Sequence, residues 1–366
     1  MTADAAARAI RESDPNGSIG IISDDPHPPY NRPPLTKGLW KGDDPEKVVW
    51  RGTDKIGTDL RLGRRATAID TKQKTVTDDR GDVVSYDELL LATGGTPRRL
   101  PMQTGQIIYY RTFDDYLKLR ALANEKLRFV VLGGGFIGSE IAAALRIVGR
   151  DVTLLVPEDG IGARLFPADL ARFLVDYYRE QGVDVRTGEG FADFKDVVRT
   201  THGKEIAADV VVAGLGIQPN VELAEQAGLR VDNGIMVDEL LRTSAPHVFA
   251  AGDVANFFNP ALGKQMRVEH EDNANTMGAA AGRSMAGKGA PYTHLPFFYS
   301  DLFALGYEAV GELDPRLETE SDWKTQFREG VVYYLKDAKV RGVLLWNTWG
   351  QVDNARAIIG TAKRLE

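Results

Sequence analysis

The sequence contains no cysteine, and this absence excludes several kinds of redox and metal site. Without thiols the chain has no disulfide scaffold, no cysteine-ligated zinc or iron–sulfur centre, no thiol nucleophile and no CxxC redox pair. Any redox chemistry must therefore use a bound cofactor.

The sequence also lacks an excess of basic residues and long apolar runs. It has 45 Lys and Arg against 52 Asp and Glu, a net charge of −7, which argues against nucleic acid or an anionic membrane as the main partner. No segment approaches the ~20 apolar residues that span a bilayer. The first twenty residues lack the basic and apolar parts of a secretory signal, so we expect a cytoplasmic location.

What is present is typical of a globular protein with a large core. The 366 residues, of which 43% are hydrophobic and 27% charged, predict two or three domains. A helical segment before the turn at Asn16 and a strand at 18–23 open the chain. Antiparallel strands at 331–335 and 340–345 and a helix over 353–364 are predicted to close it.

A glycine-rich turn follows the apolar run that begins at Leu127. Gly133, Gly135 and Gly138 form G-x-G-x-x-G between a predicted strand and a helix, the arrangement that cradles a dinucleotide pyrophosphate. Glu158 follows 20 residues after Gly138 at the end of the next strand, where an acid can bind a ribose 2′-hydroxyl. A tight turn without a ligand is the alternative. The acid favours NADH over NADPH, a preference that the nearby Arg164 tempers.

A second dinucleotide site is suggested at the beginning of the chain. If a strand and two glycines preceded Met1, Ala3 would take the last position of the same fingerprint, and Asp24 would lie at the following strand end. The sequence would then lack the first strand and glycine loop of that fold. An exposed helix followed by a solvated Asp24 turn is the alternative.

Three further segments have the composition of ligand-binding loops. The proline-rich run 28–37, PPYNRPPLTK, stiffens the chain around Arg32 and Lys37, although it could also be a rigid surface loop. Two strands end in small and polar residues, one at Thr93 and Gly94 and the other at Gly252 and Asp253. Such strand ends are where α/β folds bind ligands.

Taken together, these motifs resemble the apoptosis-inducing factor family of flavoprotein reductases, within the pyridine nucleotide-disulfide oxidoreductase superfamily. The resemblance extends over nearly the whole chain. The matching segments are 136–140 (FIGSE), 157–158 (PE), 218–223 (QPNVEL), 267–270 (RVEH), 298–302 (FYSDL), 306–309 (GYEA) and 345–347 (LWN).

The resemblance implies a noncovalent FAD that NADH reduces, with NADPH a less suitable donor. It places residues of the loops and strand ends along the FAD, namely Asp24, Arg32, Lys37, Thr93, Gly94, Arg111, Gly252 and Asp253. It places another set at the nicotinamide face, namely Glu269, His270 and Tyr299. The NAD site would comprise Gly133, Gly135, Gly138, Glu158 and Gly216.

The resemblance also implies a catalytic group consisting of Lys37, Glu140, Phe136 and His270. Lys37 and Glu140 would form an ion pair near the flavin, and Phe136 would screen the flavin until nicotinamide displaces it. Judged alone, Glu140 could be a first-turn helix acid, and the aromatic residues near Tyr299 could be core. His270 has no second histidine at ligand spacing, so no metal site is expected.

The fold class implied is α/β, with two Rossmann-like domains and a C-terminal α+β domain. We predict an FAD domain over 1–112 and 240–290, an NAD domain over 113–239, and a C-terminal, dimerisation-type domain over 291–366. The long insertion of the animal members is missing, so that a short polar link joins Leu313 to Val331. Their DNA binding is not carried over, because the chain is acidic.

The predicted activity is hydride transfer from NADH to FAD, followed by electron transfer to an external acceptor such as a quinone, oxygen or a small redox protein. One alternative is a ferredoxin or rubredoxin reductase. Another is an NADH-sensing flavoprotein that forms a homodimer on reduction. A homodimer is implied by resemblance only.

Overall fold

A computed structural model describes residues 1–101 and 107–365, which form two compact units. The first unit comprises Met1–Arg32, Pro45–Thr96 and Pro219–Pro296, and the second comprises Pro33–Asp44, Pro97–Gln218 and Phe297–Glu366. No helix in the described part of the chain is long and apolar enough to cross a membrane.

The helices differ widely in length, from one turn to four. They are α1 Thr2–Ser13, α2 Gly38–Lys41, α3 Pro45–Val48, α4 Phe113–Leu122, α5 Phe136–Ile147, α6 Ala168–Glu180, α7 Glu222–Gln226, α8 Glu271–Met285 and α9 Val352–Ile358. The strands of the first unit are β1 Ile19–Ser23, β2 Thr58–Leu62, β3 Ala66–Asp70, β4 Thr75–Asp78, β5 Val83–Ser85, β6 Leu89–Leu91, β17 Ile235–Met236, β18 Val248–Ala250, β19 Ala255–Asn259 and β20 Lys264–Arg267. Those of the second unit are β8 Ile107–Tyr109, β9 Arg128–Leu132, β10 Asp151–Val156, β11 Asp184–Thr187, β12 Phe191–Phe194, β13 Val197–Thr200, β14 Glu205–Ala207, β15 Val210–Ala213, β21 Phe297–Leu302, β22 Leu305–Gly311, β23 Glu318–Thr325, β24 Glu329–Lys336 and β25 Lys339–Trp346. Two short strands, β7 Gly95–Pro97 and β16 Ile217–Pro219, lie where the chain passes from one unit to the other.

The second unit contains a five-stranded parallel sheet in the order β11-β10-β9-β15-β8. All four residues of β15 are buried, as are Phe129 to Leu132 of β9. Continuous apolar strands are expected where helices and loops cover both faces of a parallel sheet. The predicted βαβ unit is confirmed as β9, α5 and β10.

The same unit contains an antiparallel sheet in the order β21-β22-β25-β24-β23. The predicted antiparallel strands at 331–335 and 340–345 are confirmed as β24 and β25. The predicted helix over 353–364 is wrong at its end, because α9 stops at Ile358. Beyond it, the Gly360 N–H donates to the Val340 carbonyl and the Val340 N–H to the Thr361 carbonyl, both at 2.8 Å, so the chain pairs with the start of β25.

The prediction of a plain polar link between Leu313 and Val331 is also wrong, because this stretch contains the edge strand β23. Seven of its eight residues are exposed, so its sequence ETESDWKT has none of the alternation that marks a half-buried strand. Backbone pairing with β24 holds it instead.

The first unit contains two separate parallel strand pairs, β1 with β2 and β6 with β18. The predicted N-terminal helix and the strand near 18–23 are confirmed as α1 and β1. Helix α8 packs directly on α1, since a Cβ at Gly278 would lie 2.5 Å from the Thr2 carbonyl oxygen and one at Gly282 would lie 2.3 Å from that of Ala6. Met277 and Ala281 of α8 reach a core that includes β18.

The two compact units do not coincide with the three predicted domains. Residues 33–44, 97–101 and 107–112, all within the predicted FAD domain, group with the second unit instead of the first. Residues 297–366 belong to that unit as well. The assignment of 1–112 with 240–290, 113–239 and 291–366 to FAD, NAD and C-terminal domains stays a prediction.

Candidate functional site

Two glycines of the G-x-G-x-x-G loop are required by packing. Gly133 has a φ of +98°, and a Cβ there would lie 2.6 Å from the Gly214 carbonyl oxygen. A Cβ at Gly138 would lie only 1.9 Å from the Gly133 carbonyl oxygen, which is backbone and cannot move aside. Because these two positions have no side chain, α5 can pack closely against the turn that follows β9.

Gly135 differs, because no packing contact explains it. A Cβ there would meet no atom within 4 Å, and the residue is exposed at the N-cap of α5. A helix N-terminus presents unpaired N–H groups to an anion, and an open approach to them is what a pyrophosphate needs. The loop therefore fits the phosphates of a dinucleotide.

Glu158 lies just beyond β10, as the predicted ribose-binding acid should. Its Oε1 accepts hydrogen bonds from Arg164, at 2.7 Å from Nε and 2.6 Å from Nη2. The Arg164 side chain is 85% exposed and that of Glu158 is 27% exposed, so a ligand can compete for this pair. Gly216, with a φ of +77°, accepts a hydrogen bond from the Arg98 N–H at 2.9 Å.

Replacing Glu158 with Ala should lower the affinity for NADH more than that for FAD. Losing charged hydrogen bonds to a ribose costs roughly 1.5 to 3 kcal/mol, so the Kd for NADH should rise ten- to hundredfold. Arg164, released from its partner, should then favour a 2′-phosphate and raise the relative efficiency with NADPH. Equal losses for NADH and FAD, measured by titration, would place the NAD site elsewhere.

Lys37 and Glu140 form a buried ion pair within the second unit. Lys37 Nζ lies 2.6 Å from Glu140 Oε1, and the two side chains are 13% and 3% exposed. Lys37 precedes α2 and Glu140 lies in the second turn of α5. The structure thus brings together two residues 103 positions apart that the resemblance had paired.

Two further donors hold the same carboxylate, and the sequence reasoning missed both. Thr36 Oγ1 donates to Glu140 Oε2 at 2.5 Å, and Ser300 Oγ donates to Oε1 at 2.6 Å. All three residues are buried. The sequence held two signals for Ser300, its place in the matching segment 298–302 and its place on the buried face of the alternating strand β21, where Tyr299 lies on the other face.

One aromatic ring contacts the ion pair, and a separate pair of rings packs together in the same unit. Lys37 Nζ lies 5.1 Å from the centroid of the Tyr299 ring, a cation–π distance. The ring of Phe136 packs edge-on against Phe298 with centroids 5.5 Å apart. Three of the four predicted catalytic residues, Lys37, Glu140 and Phe136, therefore lie in the second unit together with Tyr299.

The remaining predicted residues near the N-terminal helix lie in the first unit. Asp24 follows β1 and makes an exposed ion pair with Arg65 at 3.2 Å. Gly252, with a φ of +77°, lies against Thr2 at the start of α1. A helix N-terminus offers N–H donors to a pyrophosphate and an acid at a strand end accepts from a ribose hydroxyl, and these are the two groups that a second dinucleotide requires. Arg32 lies over the Tyr30 ring at 5.1 Å.

Thr93 and Gly94 are tied to Asn220, which the sequence reasoning did not assign to the site. Thr93 Oγ1 donates to the Asn220 carbonyl at 2.7 Å, and the Asn220 N–H donates to the Gly94 carbonyl at 3.0 Å. The Arg111 N–H donates to Asp115 Oδ2 at the start of α4. These contacts order the predicted binding residues.

Arg267 organises the segment that leads into α8. Its side chain is 9% exposed, and it donates to the Asp253 carbonyl at 2.9 Å and to Glu269 Oε1 at 2.7 Å.

His270 follows at the N-cap of α8. Burial lowers the pKa of His270 to about 4, although Asp253 and Asp272 act in the opposite direction, so the imidazole is neutral near pH 7.

The depressed pKa of His270 predicts a loss of stability in mild acid. Between its usual pKa of about 6.5 and the folded value of about 4, the unfolded chain binds more protons than the folded one, so stability falls as pH falls. His270→Gln should remove up to about 3 kcal/mol of this dependence. Unfolding is followed from pH 7 to pH 4, with exposed His247→Gln as the control. An unchanged slope in His270→Gln would contradict the assignment.

The roles of the predicted site residues stay predictions, although the structure gives their surroundings. Within residues 1–101 and 107–365, no group of three or more His, Asp or Glu side chains could hold a metal ion. The glycine loop and the Lys37–Glu140 pair lie in the second unit, and the Arg267–Glu269 pair lies in the first.

Comparison with protein families gives two matches. Residues 3–278 match the pyridine nucleotide-disulphide oxidoreductase family. Residues 281–326 and 318–361 match the mitochondrion-associated C-terminal domain of apoptosis-inducing factor. Together the matches extend over both compact units.

Individual relatives agree with the family matches. The chain is 34% identical to apoptosis-inducing factor 1 of Dictyostelium discoideum, over 98% of this chain and 76% of that protein. It is 37% identical to the ferredoxin–NAD(+) reductase component of the anthranilate 1,2-dioxygenase system of Burkholderia cepacia, over 83% of this chain and 78% of that protein. A chain of the covalent putidaredoxin reductase–putidaredoxin complex superposes with a TM-score of 0.91 at 32% identity, over 97% of this chain and 89% of that one.

Proposed function

The chain belongs to the pyridine nucleotide-disulphide oxidoreductase family, and from this premise we propose that it reduces a small ferredoxin-type iron–sulfur protein. It is an NAD(H)-dependent FAD oxidoreductase, as its family and its relatives are. A bound FAD would supply the redox chemistry between NADH and the acceptor. The protein's residues bind, orient and screen these cofactors.

The proposal of an external acceptor rests on the complete absence of cysteine. The family's name refers to a disulfide, yet this chain cannot form one. Electrons must therefore pass from the flavin to an acceptor outside the chain. Among the similar proteins, the Burkholderia protein is named as a ferredoxin–NAD(+) reductase, and a superposed chain comes from a complex with putidaredoxin, which supports an acceptor of this class.

The chain's own residues have separable tasks in this reaction. The open approach at Gly135 and the N–H groups that begin α5 would hold the NADH pyrophosphate, while Glu158 would select the ribose. Lys37 and Glu140 would lie beside the flavin. A buried cation and anion held in fixed positions supply an electrostatic field that does not need to reorganise as charge moves.

Steady-state reduction of alternative acceptors by NADH tests the proposal. Purified putidaredoxin serves as the ferredoxin-type probe, and a soluble quinone and oxygen serve as the competing acceptors. We expect kcat/KM for putidaredoxin to exceed that for the quinone at least tenfold, with slow oxygen consumption. Faster quinone reduction would overturn the ferredoxin-type assignment.

A second candidate function is sensing of NADH by dimerisation. Its support is the match of residues 281–361 to the apoptosis-inducing factor C-terminal domain, together with the near-complete coverage by the Dictyostelium relative. Light scattering of the anaerobic holoprotein with and without NADH decides the matter. A doubled mass with slow turnover would favour sensing, whereas an unchanged mass would exclude it.

A cytoplasmic location stays a prediction.

A further inference from the structure

Ser300 connects the Lys37–Glu140 pair to a buried tyrosine. Ser300 of β21 lies opposite Tyr307 of β22 in the antiparallel register, which brings their two hydroxyl groups close together. Burial raises the pKa of the Tyr307 phenol well above its usual value, and nearby Glu140 raises it further. The phenol is therefore a neutral hydrogen-bonding group.

The direction of these hydrogen bonds follows from the chemistry of the groups. A carboxylate can only accept, so the single proton of Ser300 Oγ is directed at Glu140 Oε1, 2.6 Å away. Ser300 can then only accept from the Tyr307 phenol. A continuous chain of donors thus runs from Tyr307 through Ser300 to Glu140, and all three residues are at most 4% exposed.

This arrangement gives Ser300 a different task from Thr36. Ser300 donates to Oε1, the same carboxylate oxygen that Lys37 contacts, whereas Thr36 donates to Oε2. Ser300 and Lys37 therefore share the negative charge of one oxygen. The next residue back, Tyr299, contacts the Lys37 ammonium with its ring, so neighbouring residues of β21 hold the two members of the ion pair.

We propose that Ser300, oriented by Tyr307, is a positioning residue that sets how strongly Glu140 holds Lys37 and thereby tunes the bound flavin. The inference rests on the proposed placement of the Lys37–Glu140 pair beside the flavin. Without the Ser300 proton, Oε1 keeps more negative charge and draws Lys37 more tightly. A carboxylate that is less well compensated disfavours added negative charge nearby, so flavin reduction becomes slower and less favourable.

The test compares five variants of the FAD-loaded protein, one of which, Glu140→Gln, removes the charge of the carboxylate. Ser300→Ala removes the hydroxyl, Ser300→Thr keeps it, Tyr307→Phe removes only the orienting phenol, and Ser321→Ala is a matched control on the exposed edge strand of the same sheet. Stopped-flow absorbance gives the rate of flavin reduction by NADH. Anaerobic titration against a redox dye gives the midpoint potential, and thermal melting gives the stability of each variant.

In Ser300→Ala we expect NADH to reduce the flavin about tenfold more slowly. The ratio of reduced to oxidised flavin at a fixed potential should fall about tenfold, which corresponds to a decrease of about 30 mV in the two-electron midpoint potential. Ser300→Thr should remain within twofold of the parent in both measurements, Tyr307→Phe should show about threefold effects, and Ser321→Ala should match the parent. If Ser300→Ala folds poorly, the rates and potentials of Ser300→Thr and Tyr307→Phe are compared with those of the parent instead.

Two outcomes overturn the inference, and they differ from failure of the proposed function. Equal losses in Ser300→Ala and Ser300→Thr would assign the effect to packing instead of hydrogen bonding. If Ser300→Ala keeps the parental rate and potential while Glu140→Gln changes both, the role of Ser300 is rejected but the placement of the ion pair beside the flavin stands. If Glu140→Gln also leaves both unchanged, the ion pair does not face the flavin, and the placement and the inference fail together.

Discussion

Replacing Glu140 with Gln is expected to slow the reduction of bound FAD by NADH at least a hundredfold. The substitution keeps the shape of the side chain but removes the charge that Lys37 contacts at 2.6 Å. It also puts an amide group among three donors, Lys37, Thr36 and Ser300, at least one of which then faces another donor. The field that the ion pair supplies to the reaction is lost.

The same substitution should lower stability, because Lys37 becomes a buried cation without its partner. Breaking a buried ion pair typically costs roughly 3 to 5 kcal/mol. Removing both charges in Lys37→Met/Glu140→Gln should restore much of the stability while leaving the slow reduction. Stopped-flow absorbance and denaturant unfolding measure the two effects separately.

A matched control for Glu140→Gln is Glu205→Gln. Glu205 makes an ion pair with Arg199 at 3.1 Å, and both side chains are more than half exposed, so its loss should change little. Full-speed reduction in Glu140→Gln would remove the residue from the catalytic group.

The second large effect is expected in the glycine loop, where one alanine substitution should destabilise the fold and another should weaken NADH binding. Gly138→Ala places a Cβ 1.9 Å from the Gly133 carbonyl oxygen, which forces α5 away from the sheet. We expect a loss of at least about 3 kcal/mol, or no soluble protein.

Gly135→Ala, by contrast, should fold normally. Its backbone, with φ −84°, is open to any residue, and its Cβ would meet no protein atom within 4 Å. The new methyl group would instead occupy the approach to the helix N-terminus, so the KM for NADH should rise tenfold or more while FAD is retained. Thermal melting and steady-state kinetics separate the two variants. Normal NADH affinity in a folded Gly135→Ala protein would remove the pyrophosphate from this loop.

Sequence reasoning succeeded where a feature depends on neighbouring residues. The βαβ unit around Gly133, Gly135 and Gly138 follows from local apolar periodicity and the steric needs of a tight turn. It failed at β23, because an exposed edge strand needs no apolar pattern to pair with β24. It failed at the end of α9, because pairing with Val340 overrides helix propensity there.

The candidate site was predictable only in part. The Lys37–Glu140 pairing came from family resemblance, since nothing in the local sequence relates residues 103 positions apart. Thr36 and Ser300 were missed, because serine and threonine hydroxyls are common and their partners depend on the fold. Glu158 and Arg164 are only six residues apart, yet their ion pair depends on how the chain turns beyond β10.

The sequence by itself determined that no internal disulfide can accept electrons and that a glycine loop is built for a dinucleotide, because composition and local sterics decide both. Only the tertiary structure decided which side chains surround Glu140. Ser300 reaches it across 160 residues and Thr36 across 104. A buried carboxylate must be satisfied by donors, and only the packing of β21, α2 and α5 determines which donors are near.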